Sequence, residues 1–318
     1  MDSRPESAAA QTQRLPRVDH VPGHPGTTNE VDALAEATAA ATAAAQSAGV
    51  TMGTASSVEQ IEELQAVLDA TWAPPEGRST IPKELLIAMS HAGSYLGTAV
   101  RDDKVVGAAV GFFSPPDRQT LHSHVAAVRT GLRSRGVGYA LKLHQRAWAL
   151  TRGSDWMEWT FDPLVARNAY FNIERLGADL INYEANFYGA MEDSLNARSE
   201  SDRAIMSWHL PVPAGRSPDR PAVQCSIEEA GYLALALTPG GYPSAAPVHG
   251  IDHPRVVVQV PPDIELIRRQ QPRLDGPWRV ALREVLTGLF RGGYQVTGFL
   301  REGAYLLEPG GGSTLPAA

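Results

Sequence analysis

Cysteine is nearly absent. Cys225 is the single one in 318 residues, which excludes an intramolecular disulfide and any multi-cysteine metal cage and suits a reducing compartment. The nine histidines suggest no metal site. Excess positive charge is also lacking: 28 Lys and Arg stand against 35 Asp and Glu, a net charge of −7. No general cationic field draws the chain to phosphate backbones or anionic lipid, so neither nucleic acid nor membrane is the expected partner. No run of about 18 uninterrupted apolar residues occurs, and the first residues lack the basic stretch and leucine-rich core of a signal peptide. A cytoplasmic protein is expected.

With 43% apolar residues, the chain can build one large or two ordinary domains. Residues 1–28 are rich in Pro, Gly, Ser, Thr and charge and are expected to be disordered. Residues 29–49 are alanine-rich, with high helix propensity but small side chains, so a loosely docked or solvated helix is expected. Residues 50–210 form the first domain. Residues 211–221, with four prolines, read as a linker. A smaller α/β module follows over 222–308, then a disordered tail, 309–318.

Within 50–210, Ser57 and Gln60 form a capping box ahead of an amphipathic run, Val58 to Trp72, that Pro74 and Pro75 stop. A short helix lies around Lys83 to Ser90. Tyr95 to Val100 and Val105 to Phe113 flank a charged turn and read as a hairpin. A strand over Leu121 to Val128, a helix over 138–151, a strand over 156–161, a helix over 165–176 and two strands near 182–188 and 204–210 complete the order β, α, α, β, β, β, α, β, α, β, β.

The glycine-bearing turn carries the chemistry. In Arg133-Ser134-Arg135-Gly136-Val137-Gly138-Tyr139-Ala140 a strand enters a turn that opens directly into a helix. Backbone N–H groups and the positive end of the helix dipole then converge on a point suited to a pyrophosphate, with Arg133 and Arg135 beside it. Taken alone, the pattern also fits a tight strand-to-helix connection with no ligand.

This turn, with the preceding His124-Val125-Ala126-Ala127-Val128, resembles the acyl-CoA loop of the GNAT superfamily of N-acetyltransferases. Ala169 and the closing Arg175-Leu176-Gly177-Ala178 resemble the family's penultimate helix and its closing turn, and Thr160-Phe161-Asp162-Pro163-Leu164 with Ala166-Arg167-Asn168-Ala169-Tyr170-Phe171-Asn172 resembles a bacterial subgroup that carries a C-terminal extension. The resemblance spans residues 50–210 and implies a mixed sheet, flanked by helices, that splays between its fourth and fifth strands around acetyl-CoA or another acyl-CoA. It further implies that the backbone of Ala126, Ala127 and Val128 meets the pantetheine. Arg133, Arg135, Gly136, Val137, Gly138 and Tyr139 would hold the pyrophosphate, with Asn168 near the thiol end. One departure stands out: the family tyrosine that protonates the leaving thiolate is replaced by Ile173. Tyr170, Tyr183, Tyr188 or water is then expected to serve.

Strand alternation sets His122 and His124 on one face of a strand, and Glu158 and Thr160 on one face of the next. His124 or Glu158 is the candidate base, since histidine titrates near neutrality and a buried glutamate can reach it. Each also has a structural reading, a satisfied core imidazole or a solvated carboxylate. Asp162 reads most simply as a turn or N-cap residue, and Cys225 as a structural thiol.

In the second module the helix over 277–290 closes on Arg291-Gly292-Gly293 before a hairpin, echoing the close of the 165–176 helix. A truncated copy of the first arrangement and a coincidental turn both fit. The expected function is acyl transfer from acyl-CoA to an amine of a small molecule, without a metal. The alternative is a noncatalytic acyl-CoA binding or sensing protein. A homodimer is compatible with the sequence.

Overall fold

The computed structural model describes residues 28–132, 135–189, 200–215 and 225–310. Of the disorder expected over residues 1–28 and 309–318, residues 1–27 and 311–318 lie outside the described residues, as does most of the linker, whereas Thr28 begins a helix and Pro309 ends a strand. The first sheet has seven strands: β1 (Thr51–Thr54), β2 (Tyr95–Arg101), β3 (Lys104–Phe113), β4 (Thr120–Val128), β5 (Trp156–Phe161), β6 (Asp179–Glu184) and β7 (Arg203–His209). Their spatial order is β1-β2-β3-β4-β5-β7-β6. Only β4 and β5 run parallel.

Helices α2 (Val58–Trp72) and α3 (Lys83–His91) cover one face of strands β2 to β4, burying Ile61, Leu64, Val67, Leu68 and Leu86. The capping box forms as the sequence predicts: Gln60 N–H donates to Ser57 Oγ, and Gln60 Oε1 accepts from the Ser57 N–H. The opposite face carries α4 (Val137–Leu150), α5 (Ala166–Tyr170) and a π-helical turn, Phe171–Leu176. The single helix read over 165–176 thus changes pitch midway. Gly177, at φ +75°, closes it, and a Cβ there would meet the Gly215 carbonyl oxygen at 2.1 Å.

The alanine-rich helix, α1 (Thr28–Ala48), is not loosely docked. It lies along α4, burying Ala37, Ala41, Ala45 and Ala48. Alanine at helical spacing lets two backbones approach closely, so small side chains favour docking where a solvated helix was expected. Arg146 of α4 is fully buried beneath it, pairing with Glu36 at 2.6 Å and donating from Nε to the Leu210 carbonyl.

The second module holds β8 (Tyr232–Leu237), β9 (Pro243–Ala245), β10 (Val256–Gln259), α6 (Ile264–Gln270), α7 (Asp275–Arg291), β11 (Tyr294–Leu300) and β12 (Ala304–Pro309). Its sheet order is β11-β12-β10-β8-β9. Sequence reading missed β8, β9 and α6. Strand for strand, this repeats the second half of the first sheet. Parallel β4 and β5, then antiparallel β7 and β6, correspond to parallel β8 and β10, then antiparallel β12 and β11, with helix before the final hairpin in each. The helix with the glycine turn has no counterpart, because β9 and coil join β8 to β10 instead.

One apolar core runs through both modules, from Met157, Trp159 and Phe161 to Trp278, Leu282 and Tyr305. Two buried carboxylates of the first module fasten the second. Asp162 accepts from Arg279 at 2.6 and 2.8 Å and from Arg268 at 2.7 Å. Its turn role is real as well, since Oδ1 accepts the Leu164 N–H. Burial alone would raise the Asp162 pKa, but the two guanidinium groups outweigh it and hold the carboxyl well below its ordinary range. Asp202 likewise accepts from Arg283 at 2.7 and 2.8 Å and from Tyr183 Oη at 2.6 Å. Backbone contacts add to this: Phe299 N–H donates to Glu174, and Tyr305 Oη to the Pro163 carbonyl.

Asp162→Asn removes the carboxylate charge that faces Arg268 and the buried Arg279, so a loss of about 3–5 kcal/mol is expected. Urea unfolding of the full chain measures it. Asp117→Asn, an exposed turn residue, is expected to change stability by less than about 0.5 kcal/mol.

Candidate functional site

Strands β4 and β5 pair over only three residues, Thr120 with Trp156, Leu121 with Met157 and His122 with Glu158. Beyond His122 they part, and among the described residues the β5-facing backbone of Ser123 to Val128 has no strand partner. A bulge in β4 sits at this vertex: Val125 pairs with Val110 and Ser123 with Gly111, leaving His124 extra. The bulge exchanges faces along the strand. Leu121 and Ser123 look toward α4, whereas Val125 and Ala127 pack against the α2 side. Ala126 is exposed and Val128 half-buried.

The glycine turn lies beside the far end of this opening. Gly136 caps α4 at φ +84°, a conformation that favours glycine. The Val137, Gly138 and Tyr139 N–H groups form the first turn and have no intrahelical acceptor, while Ala140 N–H already bonds the Gly136 carbonyl. Among the described residues, a Cβ at Gly138 would meet only Val128 Cγ2, at 3.8 Å, which leaves room beside the turn. Arg135 is exposed beside the turn, and Arg133 lies outside the described residues. Ala48, the last residue of α1, supports the turn from behind, 3.6 Å from where a Gly136 Cβ would be. Tyr139 packs edge-on against Phe171, with the Arg175 guanidinium over its ring. Asn168 is half-buried on α5.

On the face opposite α4, β5 presents Trp156, Glu158 and Thr160, all half-buried, while Met157, Trp159 and Phe161 point into the core. His122 and His124 stand beside them. Their rings are 6.0 Å apart, and both contact Phe112. Partial burial, helped by the nearby His124 and Lys142, pushes His122 down to about 4. Burial lowers His124 as well. His122 is thereby neutral at pH 7 and a poor proton acceptor.

The three candidate tyrosines separate. Tyr188 reaches this face, its hydroxyl 3.2 Å from Thr160 Oγ1. Tyr170 turns to the second module, where Arg301 lies over its ring. Tyr183 is buried with its hydroxyl committed to Asp202, and burial beside that carboxylate raises its pKa far above the ordinary phenol range. Ile173 is packed in the core and 7% exposed. It also borders a cavity of about 240 Å³ between β6 and β11, lined further by Leu180, Trp208, His209 and Val296.

Sequence reading missed a polar cluster under the vertex. Lys142 of α4 is 6% exposed. Its Nζ donates to Ser123 Oγ at 2.8 Å, lies 3.8 Å from Met157 Sδ and sits 3.9 Å over the Trp159 ring. Ser123 Oγ in turn donates to Gln145 Oε1 at 2.8 Å, while Gln145 Nε2 is buried without a partner. Burial pushes the Lys142 pKa down to about 7. The available signal was a lysine, a glutamine and an arginine at 142, 145 and 146, inside a helix whose opposite side is also covered.

Residues 61–177 match the model of the acetyltransferase (GNAT) family. No curated protein sequence matches the chain. Among solved structures, the chain is similar to the ribosomal-protein-S18-alanine N-acetyltransferase from Escherichia coli, at 13% identity over 52% of this chain and 96% of that one, TM-score 0.39. An N-acetyltransferase from Staphylococcus aureus shares 15% identity over 51% and 98%, TM-score 0.39. An aminoglycoside 6'-N-acetyltransferase complexed with coenzyme A shares 14% over 51% and 98%, TM-score 0.40. No described helix is long and apolar enough to cross a membrane. Among the described residues, no three His, Cys, Asp or Glu gather as a metal site would require.

The buried lysine has a stability signature. Its folded pKa lies below the unfolded value, so the protonated form disfavours folding below pH 7, and this penalty fades as pH rises toward 10. Lys142→Met is expected to melt higher than the parent at pH 6, with the difference shrinking by pH 9.5. Paired thermal melts measure it.

Proposed function

We propose that the GNAT acetyltransferase domain of residues 61–177 transfers an acyl group, acetyl in the first instance, from acyl-CoA to the amine of a small molecule. The observation that carries this reading is the conjunction of a split between β4 and β5 with an open glycine turn at the α4 N-terminus. The Val137, Gly138 and Tyr139 N–H groups and Arg135 would hold the pyrophosphate, with Arg133 beside them. The β5-facing edge of β4 over Ala126, Ala127 and Val128, whose other edge pairs with β3, would accept the pantetheine as a further strand, and Asn168 would lie near it. When bound, acyl-CoA supplies an activated thioester.

Glu158 and His124 are the candidate bases that take the proton of the acceptor nitrogen, directly or through water. A backbone N–H at the open edge of β4, at Ala127 or Val128, would stabilise the oxyanion. Tyr188 is the favoured hydroxyl on the acceptor face, because Tyr183 is occupied by Asp202 and Tyr170 faces Arg301. The small-molecule acceptor is supported by the partly enclosed face of Trp156, Glu158 and Thr160. A noncatalytic acyl-CoA sensor is the second reading, favoured by the isoleucine at 173.

Gly138→Val places a side chain in the open space before the turn without straining a positive φ, and is expected to weaken CoA binding at least tenfold, or about 1.4 kcal/mol. Calorimetric titration of the folded variant measures this, and undiminished affinity removes the CoA site. With an amine panel and CoA release as readout, Glu158→Gln or His124→Ala should lower kcat by about 10²–10⁴. Tight CoA binding without release by any amine supports the sensor.

A further inference from the structure

Lys142 is one of only three lysines in the chain, with Lys83 and Lys104, and the catalytic reading above leaves it unused. Its position is one that an apolar residue would fill at no desolvation cost. An ammonium enclosed there disfavours the fold unless it is paired. Yet among the described residues no carboxylate bridges it. On β4, His122 is neutral at pH 7. On β5, Glu158 points to the opposite face. On α4, Arg146 is taken by Glu36 of α1. Of the three N–H groups on Nζ, one meets Ser123 Oγ, and what remains nearby is the Met157 sulfur and the Trp159 ring, both weak partners. The three neighbours bracket the last rung before β4 and β5 part, His122 with Glu158: Met157 lies one residue before it, and Ser123 and Trp159 one residue past it.

We propose that the Lys142 ammonium is the group that receives the departing thiolate of CoA at the vertex of the split, in the role that Ile173 cannot fill. The inference rests on the acyl-CoA reading. As the tetrahedral adduct collapses, the carbon–sulfur bond breaks and its electron pair passes to sulfur. The ammonium then gives sulfur a proton, leaving free thiol and a neutral amine. The proton lost by the acceptor nitrogen passes through the base to solvent, and Lys142 regains one from solvent. A lysine pushed down to about 7 by burial suits a donor to a thiolate whose conjugate acid titrates near 8.5.

The test is carbon-13 NMR of the full chain labelled at lysine Cε, titrated without ligand, with CoA and with desulfo-CoA, which lacks only the sulfur. Lys83→Arg and Lys104→Arg assign the third resonance by elimination, so no core variant is needed. The expected result is a Lys142 midpoint about one pH unit higher with CoA than with desulfo-CoA, because only CoA sets a thiolate against the ammonium. Equal midpoints with both bound ligands, bound as calorimetry verifies, overturn the thiolate role and leave the CoA site standing. Failure of both ligands to bind overturns the acyl-CoA reading and this inference with it.

Discussion

The paired guanidinium groups on Asp162 govern more than one ion pair. Asp162 follows β5 directly, and β5 is one wall of the opening in the first sheet. Arg279 and Arg268 come from the second module, so the end of that wall is fixed by residues more than a hundred positions away. Neither partner tolerates burial alone. Together they satisfy the carboxylate on both oxygens, and the Leu164 N–H completes the turn that launches α5. The second module is thus part of the mechanical support of the split, a role that its repeated strand order would not have suggested.

Two further constraints act at the vertex. The bulge in β4 reverses which residues face α4, bringing Ser123 inward, and beyond it β4 pairs with no strand on its β5 side among the described residues. Behind α4, helix α1 closes off solvent, which converts Arg146 from a surface residue into a buried one. It also sets Ala48 beneath the glycine turn, and Arg101 ties this corner by donating to the Ala48 and Gly49 carbonyls. An alanine stripe with little packing volume therefore supports the segment that carries the glycine turn.

What the sequence determined by itself was local. Ser57 and Gln60 mark a helix start because capping is a three-residue interaction. Gly136 marks the turn because its left-handed backbone conformation favours a residue without Cβ. Alternation along Trp156 to Phe161 shows which side chains face the core. The splayed mixed sheet followed from family resemblance, not from periodicity, and the family match over residues 61–177 agrees with it.

Only the tertiary structure decided the rest, because it depends on partners distant in the chain. Tyr183 and Tyr188 are five residues apart and look equivalent, yet one is held by Asp202 while the other reaches Thr160. Asp162 carries the same letters whether it caps a turn or anchors a module. The π-helical turn at Phe171–Leu176 shifts side-chain register in a way that spacing counted on an α-helix misses. Lys142 reads as a solvated lysine until β4, β5 and α4 enclose it. Its burial, and hence its chemistry, is a property of three elements meeting, which no local pattern encodes.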